Sequence, residues 1–219
     1  MANQNQVLLV SMRVTEEANY QERRSSLAYD YIHFFESLDF TVVPVPCNST
    51  RIAEYLQFDP TAIVLTGGNT VSNDPANSNL PGVYIERDRV ENSLIKTAIE
   101  LEIPMLGICR GMQMINQYFG GRIQHGLQDH VGTVHELVSE ISELLNGQST
   151  NSFHTDGMQI QDVAECLNVI ATTGEGIVEA LVHPDHTMLG VQWHPERQHE
   201  SFDNTMINRF LRERECPPS

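Results

Sequence analysis

The hydrophobic and polar positions of the chain fall into two regimes. Short runs that are apolar almost throughout, VLLVSM (7–12), FTVVPVP (40–46), AIVLTGG (62–68) and IPMLGI (103–108), read as strands, the first and third of them buried. Between them the apolar residues recur at helical spacing. In SSLAYDYIHFFESL (25–38) they are Leu27, Tyr31, Phe34, Phe35 and Leu38, which predicts an amphipathic helix. TRIAEYLQF (50–58) predicts a short helix and RDRVENSLIKTAIELE (87–102) a longer one, while RGMQMINQYFGG (110–121) is a helix stopped by its glycines. The polar segment 69–86 carries turn residues throughout and reads as a loop. Strands without a polar face need cover on both sides, so this half of the chain predicts a parallel sheet between helical layers.

The second half has a different rhythm. GTVHELV (132–138), ECLNVIATT (165–173), GIVEALVHP (176–184) and TMLGVQW (187–193) look like strands joined by short turns, and FDNTMINRFLRER (202–214) like a closing helix. No repeat, low-complexity tract or linker interrupts the pattern. The expectation is one α/β domain over residues 1–219, with a mostly parallel central sheet flanked by helices.

Composition narrows the function. A chain of 219 residues suits one full-sized core. Thirteen Lys and Arg against 29 Asp and Glu leave a net charge of −16, which argues against nucleic acid and anionic membrane as partners, because phosphates need a basic face. A small anionic ligand held by a few arginines remains compatible. The start MANQNQVLLVSM has no basic region before a short apolar run, and no apolar stretch approaches membrane-spanning length. Cys47, Cys109, Cys166 and Cys216 form no C-x-x-C pair, so neither a zinc site nor a disulfide framework is expected, and the cytoplasm is the expected location.

Candidate chemistry centres on LGICRGMQMINQYFGG (106–121). Gly107-Ile108-Cys109-Arg110-Gly111, after a strand and before a helix, is the thiol form of a nucleophile elbow. The glycines permit a sharp turn, and the free N–H groups of the helix start favour thiolate. A buried structural cysteine is the plainer alternative, but the strand–turn–helix context favours a nucleophile. A nucleophile needs a base and the base an orienter. GVQWHPERQ (190–198) offers both: in extended chain His194 and Glu196 project to the same side, with Pro195 turned away. His-Pro-Glu alone would read as a turn; with the elbow it reads as a Cys109–His194–Glu196 triad. LTGGN (65–69) puts glycines at a strand's C-terminal end, where the N–H groups of Gly68 and Arg110 are candidates for an oxyanion hole.

With TGGN, ERDRVE (86–91), the elbow, NSFHTDGMQ (151–159) and LGVQWHPE (189–196) in view, the chain resembles the class I glutamine amidotransferase-like superfamily, and within it the stand-alone gamma-glutamyl hydrolases. The resemblance implies a γ-glutamyl thioester on Cys109, a glutamyl pocket lined by Gln113, a site glycine at Gly67, and His154 in the segment running past the substrate. It implies a small-molecule γ-glutamyl substrate, no cofactor and no metal, and leaves a homodimer open. The hydrolases often carry an Asp and a Pro soon after the double glycine; here the segment is NTVSNDP, which leaves the leaving group open. The start SMRVTEEANYQERRSSLAYDY is similar to hydrolases of surface-polysaccharide clusters, including one that cleaves a γ-glutamyl nucleotide amidate.

Arg13, Arg23 and Arg24 follow the first strand, at the sheet edge where ligands bind, and are candidates for a phosphate on the leaving group; a solvated or internally paired loop is the alternative. Arg87 and Asp88 open a helix, so Asp88 is expected to cap it. HPDH (183–186) reads as a turn rather than as metal ligands, and Met105, Met112 and Met114 as core. Three functions compete: a stand-alone γ-glutamyl hydrolase, whose leaving group is an amidate or a polyamine; a glutaminase subunit feeding ammonia to a synthase; and a non-enzymatic relic, against which the intact triad argues.

Overall fold

The computed structural model describes residues 6–72, 81–197 and 201–217. The first elements are β1 (Val7–Ser11), β2 (Arg13–Glu17), β3 (Glu22–Ser26), α1 (Tyr29–Ser37), β4 (Thr41–Val45), α2 (Ile52–Tyr55), β5 (Ala62–Leu65), α3 (Ile85–Leu101), β6 (Met105–Ile108) and α4 (Arg110–Tyr118). The chain continues through β7 (Gln124–His125), β8 (Val131–Glu136), β9 (Ser149–Phe153), β10 (Asp156–Gly157), β11 (Asn168–Thr172), β12 (Val178–Val182), β13 (Met188–Val191) and α5 (Ser201–Glu213).

Seven strands form the central sheet in the order β11-β12-β13-β6-β5-β1-β4. From β4 to β13 all pairings are parallel; β12 and β11 add an antiparallel end. The inner strands β1, β5, β6 and β13 are buried at every residue, as apolar runs without alternation require. Alternate residues feed two cores. Leu8, Val10, Val64, Leu106 and Val191 pack on one face with Tyr31, Phe34 and Phe35 of α1 and Phe202, Met206 and Phe210 of α5. Leu9, Ile63, Leu65 and Met105 pack on the other with Val90, Leu94 and Ile95 of α3 and Met112 and Ile115 of α4. Each large apolar side chain so buried contributes on the order of 2 kcal/mol. Met105, Met112 and Met114 are all core, and no helix among the described residues is long and apolar enough to cross a membrane.

The chain leaves β1 outward to β4, then returns to pair β5 with the other side of β1. That reversal opens a crevice at the C-terminal ends of β1 and β5, where doubly wound sheets take ligands. Thr66, Gly67 and Gly68 lie at its mouth, with Cys109 one strand away.

Two segments depart from the sequence expectations. The helix expected over 25–38 starts only at Tyr29, because Ser25 and Ser26 pair with Val14 and Arg13 in a β2–β3 hairpin. Its polar residues carry no burial period. Ser149–Phe153, also polar, forms β9 against β8, with Thr150, Asn151 and Ser152 buried. Asp88 is no cap: the residue flanking α3 is Tyr84, without a side-chain cap bond. Of the loop expected over 69–86, residues 73–80 lie outside the described residues.

Candidate active site

The site is built from three strand ends. After β6 the chain turns through Cys109, whose φ of 53° and ψ of −108° are strained for a residue with a side chain. The turn is held because the Cys109 N–H donates to the Val191 carbonyl at 2.7 Å. Both elbow glycines are required by close approach. A Cβ at Gly107 would stand 2.7 Å from the Gly111 backbone, and one at Gly111 would stand 2.2 Å from the Leu65 carbonyl oxygen. The sulfur is thus fixed at the start of α4, 7% exposed.

After β13 the chain delivers His194 and Glu196. Glu196 Oε1 lies 2.6 Å from His194 Nδ1, which leaves Nε2 for the Cys109 sulfur, the ring's other hydrogen-bonding neighbour. Burial alone would pull the His194 ring down. The Cys109 sulfur first, and Glu196 after it, outweigh burial and push it up to about 10. The geometry therefore favours a charged imidazole between the Cys109 sulfur and the Glu196 carboxyl group. Asn151, on β9, clamps the His194 backbone with both ends of its amide, at 2.8 and 3.0 Å. Tyr31, from α1, accepts from the Gly67 N–H at 2.9 Å and lies near the Glu196 carboxylate; burial and then Glu196 raise it well above the usual phenol range.

The Thr66–Gly68 turn after β5 is held from below by a buried charge cluster. Arg87, 1% exposed, donates to the carbonyls of Thr66 at 2.7 Å, Gly67 at 3.2 Å and Gly68, and to Asn69 Oδ1 at 2.9 Å. Its Nε reaches Glu91 at 2.9 Å, and Arg110 bridges Glu91 to Asp88. Burial raises Glu91, but Arg110 and Arg87 more than offset this and hold it below its usual range. Burial raises Asp88, which accepts from the Ser72 N–H at 3.3 Å. Asn69 binds both backbone groups of Val14, tying the β2–β3 hairpin to the same turn. With its carbonyls drawn down onto Arg87, the turn leaves the Gly68 N–H without a hydrogen bond among the described residues; the same holds for the Arg110 N–H at the start of α4.

A cavity of about 210 Å³ joins these parts and is lined by Cys109, His194, Gly68, Arg110, Gln113 and His154, together with Arg13, Phe153 and Arg197. Gln113 donates to the Asp156 carbonyl at 2.7 Å and to Gln192 at 3.3 Å; Gln192 in turn reaches the Cys109 sulfur at 3.7 Å. Gly67 faces the His194 ring rather than the cavity. Arg23 and Arg24 do not line it. Arg23 is held by Glu16 and Glu86, and Arg24 by Glu22, Glu17 and Tyr20, on an exposed hairpin. Their place is taken by Arg13, whose guanidinium lies over Gly68, and by Arg197, stacked 4.6 Å from the Phe153 ring. Tyr31, Asn151, Gln192, Arg197 and the fixing role of Arg87 escaped the sequence reading. Arg87 lies in ERDRVE, Asn151 in NSFHTD, and Gln192 and Arg197 in GVQWHPERQ, but those motifs gave them no role. HPDH is a turn, with His183 Nδ1 accepting from the N–H groups of Asp185 and His186.

Comparison with known proteins agrees with this architecture. A family profile described as Peptidase C26 matches residues 7–196. The glutamine amidotransferase-like protein YvdE of Lactococcus lactis is 35% identical over 204 residues, 82% of this chain and 85% of YvdE. The gamma-glutamyl-CDP-amidate hydrolase of Campylobacter jejuni is 30% identical over 190 residues, 86% of this chain and 89% of that protein. Glutamine-hydrolysing GMP synthases also match, among them a GMP synthase polypeptide of Methanococcus maripaludis at 25% identity over 190 residues, 83% of this chain and 90% of that polypeptide. Among solved structures, a glutamine amidotransferase of Thermotoga maritima superposes with a TM-score of 0.61, covering 95% of this chain and 89% of that one at 17% identity.

Proposed function

The chain belongs to the Peptidase C26 family of class I glutamine amidotransferase-like hydrolases of amide C–N bonds, and from that premise we propose that it cleaves a γ-glutamyl conjugate whose leaving group carries a phosphate. The observation that carries the reading is the convergence of Cys109, the His194–Glu196 pair and the unspent N–H groups of Gly68 and Arg110 around one cavity that two arginines also line.

The chemistry follows from the geometry. The Cys109 sulfur attacks the γ-carbonyl carbon, forming the C–S bond, while the carbonyl oxygen takes up negative charge between the Gly68 and Arg110 N–H groups. His194 gives its proton to the departing nitrogen as the C–N bond breaks, leaving a γ-glutamyl thioester. The now neutral imidazole takes a proton from water, whose oxygen attacks the thioester; the C–S bond breaks, glutamate leaves, and the released sulfur again faces a protonated imidazole. Glu196 stabilises the imidazolium at each stage. Gln113, which lines the cavity, offers its amide to the glutamyl end.

Arg13 and Arg197 support a phosphate on the departing side. Arg13 makes no ion pair among the described residues, and Arg197 only skirts Glu196 at 4.0 Å, so both forks are available in a chain of net charge −16. The relative that hydrolyses a γ-glutamyl-CDP-amidate points the same way. The GMP synthase relatives favour a second reading, a glutaminase completed by a separate synthase. The deciding experiment measures glutamate release by the purified chain alone from a γ-glutamyl phosphoramidate, a γ-glutamyl polyamine and glutamine. Preference for the phosphoramidate, abolished by Cys109→Ala, is expected. Turnover of glutamine that appears only with a synthase added, or preference for the polyamine, overturns the reading.

A further inference from the structure

Beside the cavity wall, four side chains that the hydrolytic chemistry does not use converge. His130 precedes β8, His135 lies on it, His154 follows β9 and Glu179 lies on β12 of the central sheet. One ligand-type atom from each falls within 4.8 Å of all the others. The His130 ring centroid is 4.6 Å from that of His135 and 4.9 Å from that of His154. His130, His154 and Glu179 are 5%, 4% and 1% exposed.

The hydrogen bonds around the cluster leave acceptors facing acceptors. His154 Nδ1 lies 3.1 Å from the Asp156 carbonyl, which can only accept, so the proton sits on Nδ1 and Nε2 turns its lone pair inward. That Nε2 lies 3.6 Å from Glu179 Oε1, too far for a hydrogen bond, and neither Nε2 nor either Glu179 oxygen has a hydrogen-bond partner. His130 Nδ1 is also buried without one. The Thr133 hydroxyl gives its proton to the Asp129 carbonyl at 3.1 Å, so it can only accept from His135 Nε2 at 3.4 Å, which leaves His135 Nδ1 as a second unprotonated lone pair.

Lone pairs and a buried carboxylate aimed at one another are costly unless a cation lies between them. We propose that His130, His135, His154 and Glu179 bind one divalent transition-metal ion of the zinc class. Three imidazoles and one carboxylate suit such an ion, with two of the rings held by an acceptor on their outer nitrogen, as ligating histidines generally are. Bonds of about 2.1 Å place tetrahedral ligand atoms roughly 3.4 Å apart, so the rings close inward by about an ångström on binding. The ion would pin the β8–β9 hairpin to β12, and with it the Phe153–Asp156 segment that forms one wall of the cavity. It is distinct from HPDH, borders the thiol cavity through His154 but uses none of the triad, and stands whether or not the substrate assignment does.

The test is metal analysis of the full chain purified without chelator, then cobalt titration of the chelator-stripped protein. About one ion per chain is expected, with visible cobalt absorption and a melting temperature raised by several degrees when zinc is restored. Absorption should persist in Cys109→Ala and be lost in Glu179→Gln and in His135→Ala. His135 is only partly buried, so its loss reports ligation rather than collapse. Metal-free protein that develops no cobalt absorption overturns the proposal and leaves a proton shared by His154 and Glu179 in the ion's place. Binding that survives both ligand variants, or that vanishes in Cys109→Ala, overturns it too.

Discussion

Gly67 and His194 touch: the space beside the Gly67 Cα is filled by the imidazole, whose Cε1 would lie 2.8 Å from a Cβ at position 67. The backbone here tolerates a side chain, so the constraint is the ring itself. Gly67→Ala therefore pushes His194 off Cys109 and Glu196 without unfolding the protein. A displacement near an ångström costs on the order of a hundredfold in kcat. Steady-state kinetics with a melting curve checks this; wild-type kcat in Gly67→Ala would mean that the ring's position does not matter.

The alkaline limb of the pH profile should belong to His194. Its ring, held up to about 10 by the Cys109 sulfur and then Glu196 against the pull of burial, keeps its proton through neutral pH and loses it as pH rises through that value. Activity that needs the charged ring therefore declines only toward pH 10. Glu196→Gln removes an anion that raises the ring, so the limb of kcat/KM moves to lower pH. A limb that stays put or moves upward removes Glu196 from the role of orienter.

Glu91 pairs with two buried guanidiniums, so Glu91→Gln leaves Arg87 without a carboxylate and Arg110 with Asp88 alone. A loss of about 3 kcal/mol in urea unfolding is expected, the scale of breaking a buried ion pair. The pH sign is fixed by the direction of its shift. Arg110 and Arg87 hold the folded carboxyl below its ordinary 4.5 despite burial, so its stabilisation is present above that value and lost as pH falls through the lower, folded one. Wild type should lose more stability than Glu91→Gln on acidification below about 4.5. Parallel curves would place the charge elsewhere.

The arginines separate cleanly by substrate. Arg13→Ala and Arg197→Ala should each lower kcat/KM on a phosphate-bearing γ-glutamyl conjugate by about tenfold, while barely changing a neutral γ-glutamyl anilide. Arg23→Ala and Arg24→Ala should change neither, because their guanidiniums are engaged by glutamates on the hairpin. An equal loss on both substrates would assign Arg13 and Arg197 to the shape of the cavity instead.

Much of this was legible in the chain. A residue buried on both faces must be apolar whatever its neighbours, so the four inner strands of the sheet show as unbroken runs. The elbow shows because close approach of α4 to Leu65 admits only glycine at 111. His194 and Glu196 lie two apart in one strand exit, so local geometry places them together. What the chain could not display was the partner of each polar group. Arg23, Arg24 and Arg13 look alike in sequence; the β2–β3 pairing sets glutamates beside the first two and turns the third over Gly68. Glu179 lies on β12 and His154 just beyond β9, and nothing local says that the fold sets them face to face. Arg87 reads as an exposed helix start until α3 packs under the Gly68 turn. Apolar burial is a property of a residue and its period, and is written along the chain. Pairing of charges and hydrogen bonds is a property of two positions that only the folded sheet brings within reach.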